Sequence, residues 1–476
     1  MIKKSLIVLI LMTAGLCMTA QQNRQGVGFG KKHSQNSVET LKELKKMSGL
    51  YLQTQDNDWW EPDTMVLDYG YAKEREIFSY NKQGLAISRL IQSQSGQSWK
   101  NSFFYTYAYD ENNNCLSELS QMWEDNSWQN MMKSTYTYNG KNLTTELQQI
   151  WDGSAWMNME QGVYTYDENN NLLTEVWKMW EYDYGWENDM QYIYTYDENN
   201  NLLTELFQWW SDKWENEYLD TYTYSGNQIV NVLGQMWEDD EWINEYQANA
   251  TYEGENIAQV IFQYWEDEQW ENEERISIFY DENNNFLNEL FEVWISNNWV
   301  TNYEIAYTYD DNNNRTEILS RYWDNVWTPE NKTTYQYDAH NNANVVENWS
   351  WSGNKWEPNF DYCTFFYNNM QSEMEIAAQT ATITYVNVNQ LEPIDEILNN
   401  VAILAYPNPA SGAVTISAAS EIEQLQIFDI VGRPVHTQTS ASKEVFFDTG
   451  VLAKGVYLVR VLLRDGRVQT GKVVVR

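Results

Sequence analysis

The residues best suited to contact a ligand are tryptophans that flank short acidic turns. Trp237 and Trp242 enclose Glu-Asp-Asp-Glu, and Trp265 and Trp270 enclose Glu-Asp-Glu-Gln. A flat aromatic ring beside carboxylate acceptors suits the stacking of a sugar ring, and repeated copies would add avidity. The competing interpretation is structural, with each pair packing its turn against the next hairpin. Regular spacing favours packing, but the extent of aromatic surface makes binding the best functional class.

No set of residues points to catalysis. The histidines His33, His340 and His436 lie in three different regions, and acidic runs such as Glu238–Asp240 recur in turns that solvent reaches. A glycosidase needs two carboxyl groups held about 5–10 Å apart in a cleft, which a repeated turn does not provide. We therefore expect no catalytic residues and no cofactor, and we expect that the protein is not an enzyme.

A second acidic motif has the spacing with which calcium-binding loops begin. Asp197–Asn201 alternates Asp and Asn, and the motif recurs at Asp110, Asp167, Asp281 and Asp310. The glycine and the later bidentate glutamate of such a loop are missing at the required spacing. Other units have Asn139-Gly140 at the same position, which indicates that the turn forms without oxygen ligands. The sequence favours turn chemistry, and no metal site is expected.

These motifs recur because the chain repeats one unit. A tyrosine marks each of eleven copies at intervals of 28 to 30 residues: Tyr80, Tyr109, Tyr138, Tyr166, Tyr196, Tyr224, Tyr252, Tyr280, Tyr309, Tyr337 and Tyr367. A fixed period in this range is typical of an array in which each unit packs against its neighbours. Residues 51–380 are therefore predicted to form one repeat array.

Each unit has the pattern of a β-hairpin. From Trp186 to Tyr196, residues alternate with a period of two, which predicts that Trp186, Tyr192 and Tyr196 share one face of a strand. The return stretch Leu202–Trp210 is apolar on both faces, and glycine or asparagine provides the positive φ of the turns. Roughly 22 strands are too many for a flat open sheet. An all-β fold with a coiled or spiral antiparallel sheet is predicted, and the extent of its closure is left open.

The tyrosine motif resembles that of the YD (RHS) repeats, Tyr-x-Tyr-Asp-x-x-Gly-x-Leu. Three stretches match it with asparagine at the glycine position: Tyr107–Asn113, Tyr164–Asn170 and Tyr194–Asn200. The resemblance covers about two thirds of the chain. It implies hairpins that wrap into a spiralling β-shell, as in known members on bacterial surface and toxin proteins. The longer period and the Trp-Glu-Asp-x-x-Trp turn depart from that pattern.

The N-terminal residues 1–20 have the pattern of a secretion signal. Lys3 and Lys4 precede a short apolar run, and removal is expected near Ala20. Residues 21–50 follow as a segment in which the spacing of apolar residues indicates a short helix. Beyond the signal only Cys115 and Cys363 remain, about eight units apart, and no disulfide between them is expected.

The net charge of −39 limits the choice of partners. It argues against nucleic acid and against an anionic membrane surface, since both would repel the chain. Charge of this size also keeps a long array of aromatic hairpins soluble.

The composition changes after about residue 395, where tryptophan vanishes. Short strand patterns there, among them Val414–Ser417 and Gln424–Asp429, predict a small β-sandwich of six or seven strands. Ordered motifs there resemble the C-terminal sorting domain of the type IX secretion system of Bacteroidetes-type bacteria. The residues that carry this resemblance are Pro407, Asn408, Pro409, Asp429, Gly432, Gly455, Tyr457 and Lys472.

This resemblance implies that residues 405–476 engage the type IX secretion machinery and are cut off within a linker at 381–404. The mature protein would then be attached to lipopolysaccharide on the extracellular side of the outer membrane, or released. The sequence thus predicts a secreted cell-surface protein that binds or adheres, with a glycan or a surface or matrix protein as ligand. The alternative is a structural coat or scaffold without a discrete ligand.

Overall fold

The computed structural model describes residues 59–390, 404–406, 408, 410, 412–428, 434–464 and 468–476. The predicted signal, the helical segment at 21–50 and the predicted cleavage region around residues 391–403 lie outside the described residues.

Strands make up nearly all of the described chain, which confirms the all-β prediction, and no α-helix occurs in these residues. The array contains β1 (Trp60–Asp68), β2 (Lys73–Tyr80), β3 (Ala86–Ser95), β4 (Ser98–Tyr109), β5 (Cys115–Glu124), β6 (Ser127–Asn139), β7 (Asn142–Trp151), β8 (Trp156–Tyr166), β9 (Leu172–Glu181), β10 (Gly185–Tyr196), β11 (Leu202–Trp210), β12 (Trp214–Ser225), β13 (Gln228–Glu238), β14 (Glu241–Glu253), β15 (Asn256–Glu266), β16 (Gln269–Tyr280), β17 (Phe286–Ile295), β18 (Asn298–Tyr309), β19 (Arg315–Trp323), β20 (Trp327–Tyr337), β21 (Ala343–Ser352), β22 (Lys355–Pro358), β23 (Asp361–Tyr367), β24 (Ser372–Ala378) and β25 (Thr380–Asn387). The terminal region contains β26 (Leu404–Tyr406), β27 (Ala413–Phe428), β28 (Pro434–Asp448), β29 (Gly455–Leu463) and β30 (Val468–Val475). Two 3-10 turns, Val388–Gln390 and Thr449–Val451, complete the elements.

The sheet of the array closes on itself. Consecutive strands pair antiparallel from β1 to β21, and β25 pairs with β1 on one side and with β21 on the other. The short strand β22 branches from β21 outside this circuit. The predicted linker at 381–404 therefore begins too early, because Thr380–Asn387 is the strand that closes the sheet. Its alternation is that of a strand, with Ala381 and Ile383 buried and Thr382 and Thr384 exposed.

Bulges overturn the predicted alternation along each hairpin. In β10 the register shifts between Asn188 and Met190, so that Trp186 lies opposite Trp180 whereas Tyr192 lies opposite Glu175. Residues 180 and 175 are five apart on the partner strand and point to opposite faces. The prediction that Trp186 and Tyr192 share one face is therefore wrong, because the extra residue of a bulge reverses the alternation beyond it.

The two faces of the sheet differ in burial. The face that carries the repeated tyrosines, here called the tyrosine face, also carries the fully buried Ile257, Val260 and Ile276. The opposite face carries the tryptophans of the turns and is called the tryptophan face; its side chains are mostly half-buried. A single sheet buries one face only if other groups cover that face, so the tyrosine face lies on the inside of the closed sheet. The hairpin β23–β24 packs on it beside Tyr335, whose hydroxyl donates to the carbonyl of Thr364 at 2.9 Å.

The marker tyrosine of each unit ties the two strands of its hairpin together at the end away from the tryptophan turn. The hydroxyl of Tyr252 in β14 donates to the carbonyl oxygen of Ile229 in the partner strand β13 at 2.8 Å. Equivalent bonds join Tyr109 to Ala86, Tyr196 to Leu172 and Tyr337 to Arg315. These bonds explain why the tyrosine repeats with the period of the hairpin.

The acidic loops at the other end of the hairpins are closed by their own hydrogen bonds. One carboxylate oxygen of Asp197 accepts from the backbone N–H groups of Asn199 and Asn201, and the other accepts from the side-chain amide of Asn201. Asn200 has a φ of 65°, the left-handed conformation that asparagine tolerates. The Asp and Asn side chains of the motif therefore form hydrogen bonds within the turn itself, the role that the sequence favours.

The terminal region forms the predicted small β unit as a five-stranded sheet, with fewer strands than the six or seven predicted. The predicted strand Val414–Ser417 and the described part of the predicted strand Gln424–Asp429, up to Phe428, are merged in β27, which pairs with β26, β28 and β29, while β30 pairs with β29. They merge because β28 pairs along most of the length of β27, and a single partner strand holds both stretches. Val414, Ile427 and Val459 belong to its buried core.

Candidate binding surface

Each acidic turn places two tryptophans side by side on the tryptophan face. Trp237 and Trp242 are cross-strand partners with ring centroids 4.9 Å apart and an interplanar angle of 67°. The turn between them has Asp239 at φ 50° and Asp240 at φ 64°. Two left-handed residues in a row define the type I′ turn, whose twist keeps the flanking strands in register.

The same edge-to-face arrangement occurs in nine hairpins, which together form the tryptophan row. Centroid separations lie between 4.9 and 5.1 Å in the pairs Trp123/Trp128, Trp151/Trp156, Trp180/Trp186, Trp210/Trp214, Trp237/Trp242, Trp265/Trp270, Trp294/Trp299, Trp323/Trp327 and Trp351/Trp356. Such pairs contribute about 0.5–1.5 kcal/mol beyond burial. The two rings of each pair thus pack against each other within one hairpin. Packing against a neighbouring hairpin, which the sequence favoured, occurs where Trp128 lies 5.4 Å from the ring of Phe104.

Pairing leaves part of each indole in contact with solvent. Trp180, Trp210 and Trp323 keep 37%, 38% and 40% of their surface exposed, and the four predicted stacking residues are half-buried. The row can therefore stabilise its hairpins and still present aromatic surface to a ligand.

A row of primary amides runs beside the tryptophans, two residues further along each strand on the same face. Gln235 Nε2 donates to Asn244 Oδ1 at 3.0 Å, and Gln263 Nε2 donates to Asn272 Oδ1 at 2.8 Å. This amide row has six hydrogen-bonded pairs: Gln92/Asn101, Gln121/Asn130, Gln149/Asn158, Gln208/Asn216, Gln235/Asn244 and Gln263/Asn272. Sequence reasoning missed it, although Gln-x-Trp followed by Trp-x-Asn was readable at five turns, beginning at Gln121, Gln149, Gln208, Gln235 and Gln263.

Cations cover the tryptophans at the two ends of the array. Arg75 lies 4.9 Å from the ring centroid of Trp99, Arg275 lies 4.8 Å from that of Trp299, and Lys332 Nζ lies 4.7 Å from that of Trp356. Arg321 covers Trp327 at 4.9 Å and pairs with Glu304. Within the part of the chain that the structure describes, no lysine or arginine lies over a tryptophan between residues 123 and 270. The middle of the row is therefore the part most open to a neutral ligand.

The tyrosine face carries carboxyl groups whose pKa values are raised. Burial raises the pKa of Glu118, Glu146 and Glu175. The pKa of Glu160 rises to about 7, first through burial and then through repulsion from Glu146 and Asp189. In the described residues, no group of three or more His, Cys, Asp or Glu side chains is arranged to hold a metal ion.

Asp220 is a further buried acid on this face. Burial raises its pKa to about 6, although a hydrogen bond from the Tyr246 hydroxyl at 3.0 Å opposes the shift. The Tyr246 ring fills the space that a side chain at Gly234 would need, since a Cβ there would lie 2.0 Å from the ring.

The terminal sheet brings together part of its predicted motif. The Asn408 side chain donates to the carbonyl of Lys472 at 2.8 Å and accepts from the backbone N–H of Val474 at 2.9 Å, which ties it to β30. Gly455 begins β29, and the buried Tyr457 donates to the carbonyl of Ala453 at 2.8 Å. Pro407, Pro409, Asp429 and Gly432 lie outside the described residues.

The described residues thus define a two-part all-β protein, a closed array of hairpins followed by a small terminal sheet. A family model for the secretion system C-terminal sorting domain matches residues 404–476, which confirms the predicted resemblance. The protein is therefore a cargo of the type IX secretion machinery, exported to the cell surface or the extracellular space. A second model, a family of unknown function (DUF3836), matches residues 64–158 in the first hairpins.

Solved structures show limited similarity. A protein of unknown function from Bacteroides fragilis is 13% identical over 26% of this chain and 94% of its own, with a TM-score of 0.23. A DUF3836 family protein from Bacteroides vulgatus is 22% identical over 22% of this chain and 92% of its own, with a TM-score of 0.16. PorZ of Porphyromonas gingivalis is 9% identical over 90% of this chain and 86% of its own, with a TM-score of 0.15.

No curated protein matches the sequence. Helices long and apolar enough to cross a membrane are absent from the described residues.

Proposed function

We propose that this exported protein is a non-enzymatic binding protein whose tryptophan face adheres to glycans outside the cell. The observation that carries the proposal is the tryptophan row, which repeats one aromatic pair per hairpin and keeps part of each ring exposed. Repetition suits weak contacts, because a ligand that spans several pairs gains avidity without any new kind of contact. The sorting domain supports this function because it delivers the array to the place where such ligands occur.

We further propose that the sorting domain is removed after export and that the array stays attached to lipopolysaccharide on the outer membrane. The sorting-domain match at residues 404–476 supports this second step. Mass spectrometry of the protein recovered from the cell surface tests it, since loss of the terminal sheet is expected and a chain that keeps Arg476 would contradict it.

A structural coat or scaffold is the second candidate. The edge-to-face contacts within each hairpin favour it, because tryptophans that hold their own turns need no ligand to explain their repetition. The two functions predict different effects of removing an indole: a binding protein loses glycan binding, whereas a scaffold loses only stability.

A glycan screen with the full exported chain separates these functions. Trp237→Ala and Trp265→Ala are expected to weaken saturable binding by about tenfold or more. The variants stay folded, with a modest fall in melting temperature because each loses an edge-to-face contact. Trp177→Ala is the matched control, since that indole lies on the tyrosine face, where its Nε1 donates to Glu175, and it is expected to bind as the parent does. Variants that lose stability while the parent binds no glycan would establish the scaffold instead.

A further inference from the structure

The tryptophan face combines two parallel rows of different chemistry. From hairpin β3–β4 to hairpin β15–β16, a tryptophan at the turn is followed by an amide pair in six of seven units. The exception is β9–β10, where Lys178 lies opposite Asn188. Beyond β16 the amides give way to ion pairs such as Arg275–Glu292.

The amides have hydrogen-bonding capacity beyond their cross-strand bonds. A primary amide has two N–H donors and an oxygen with two lone pairs. The bond from Gln235 to Asn244 uses one donor and one acceptor, and both residues are half-buried rather than sealed. The Gln263 oxygen also accepts from Gln247 and Asn249, so Gln263 offers a ligand its second N–H donor. Hydroxyl groups both donate and accept, so a polyhydroxylated ligand matches this row, whereas an apolar surface would leave it unsatisfied.

The negative charge of the protein favours uncharged ligands over acidic ones. The turns beside the tryptophan row carry exposed carboxylates, such as Asp239, Asp240 and Asp267, and the whole chain has a net charge of −39. In the middle of the row, no cation covers a tryptophan among the described residues. An acidic glycan would therefore be repelled, and an uncharged glycan would not.

The spacing of the repeat also sets the length that a ligand needs to reach a second tryptophan pair. Successive tryptophan pairs are two strands apart, or about 10 Å, which is long enough for about two pyranose rings. The closed sheet curves, so a stiff ligand follows only a few neighbouring hairpins before the surface turns away.

We infer that the ligand is an uncharged, extended polysaccharide that lies across neighbouring hairpins, with sugar rings on the tryptophan row and hydroxyl groups on the amide row. This inference rests on the proposed function and names its substrate class. The hairpins β13–β14 and β15–β16 provide two adjacent complete units for it.

Calorimetry with neutral oligosaccharides of increasing length tests this inference, with cello-oligosaccharides of two to eight units as the probes and heparin fragments as the acidic comparison. Affinity is expected to rise about tenfold or more once the probe reaches a second tryptophan pair, and then to level off. Binding of the neutral probes is expected to change little between low and high salt, since no charges pair.

Gln235→Ala and Gln263→Ala are expected to weaken binding of the longer probes about tenfold. Gln148→Ala is the matched control, because that amide lies on the tyrosine face and donates to Glu146; it is expected to have no effect. Affinity that does not depend on length, or heparin that binds better than the neutral probes at the same tryptophans, would overturn the inference and leave the proposed function standing. A tryptophan face that binds no glycan at all would overturn both.

Discussion

At the scale of single residues, carboxylates on the inner face of the closed sheet are buried and therefore desolvated. Glu160 is 4% exposed, and its pKa rises to about 7 because burial and the nearby Glu146 and Asp189 disfavour the charged form. In the unfolded chain a glutamate ionises near pH 4.5. Ionisation therefore costs the folded state more than the unfolded state, so stability from this group is present below pH 4.5 and is lost as the pH rises through about 7.

Glu160→Gln is expected to remove this pH dependence. The variant should be more stable than the parent above pH 7, by at most about 3 kcal/mol given about 1.4 kcal/mol for each pKa unit, and equally stable near pH 4. Urea unfolding at pH 4 and pH 8 measures the difference. Glu168→Gln, in an exposed turn, provides the control and is expected to leave the pH dependence unchanged. If the stability of the parent and of Glu160→Gln depended equally on pH, Glu160 would not be the source of the pH dependence.

At the scale of the element, the repeated tyrosine connects the two strands of each hairpin at the end away from the tryptophan turn. Tyr252→Phe removes the hydroxyl that donates to the carbonyl of Ile229 and should cost about 1 kcal/mol, as for a typical internal hydrogen bond. Faster amide exchange in β13–β15 is the expected result. Tyr182→Phe, at a tyrosine that is 87% exposed, should leave exchange as it is. Unchanged exchange in the first variant would show that the tyrosine ring alone holds the two strands together.

The hairpin itself was predictable from the sequence, but its faces were not. Period-two patterning and turn residues located the strands, since both are local properties of the chain. The bulges between Asn188 and Met190 and between Thr195 and Tyr196 leave no signal in a single unit, because a bulge is defined by the partner strand. As a result the tryptophans were placed on the tyrosine side of the sheet, and the amide row beside them went unseen.

At the scale of the whole molecule, the closure of the sheet could not be predicted from the sequence. It depends on β25 meeting β1 some three hundred residues earlier in the chain, and no repeat motif marks β25. Closure leaves the circuit without an edge strand, the feature that otherwise invites pairing between molecules. The sorting domain, in contrast, was readable because its motifs are local and ordered.

A proline in β25 tests closure directly. Thr382 lies between Val66 of β1 and Val345 of β21, so Thr382→Pro removes a backbone donor inside the circuit and should cost about 3 kcal/mol or more. Amide exchange is expected to accelerate in β1 and β21 and to stay unchanged in β10–β14. Glu357→Pro in the branch strand β22, which pairs on one side only, is the control and should leave β1 protected. Equal protection of β1 in Thr382→Pro and in the parent would show that the sheet does not depend on β25, and the array would then be an open spiral.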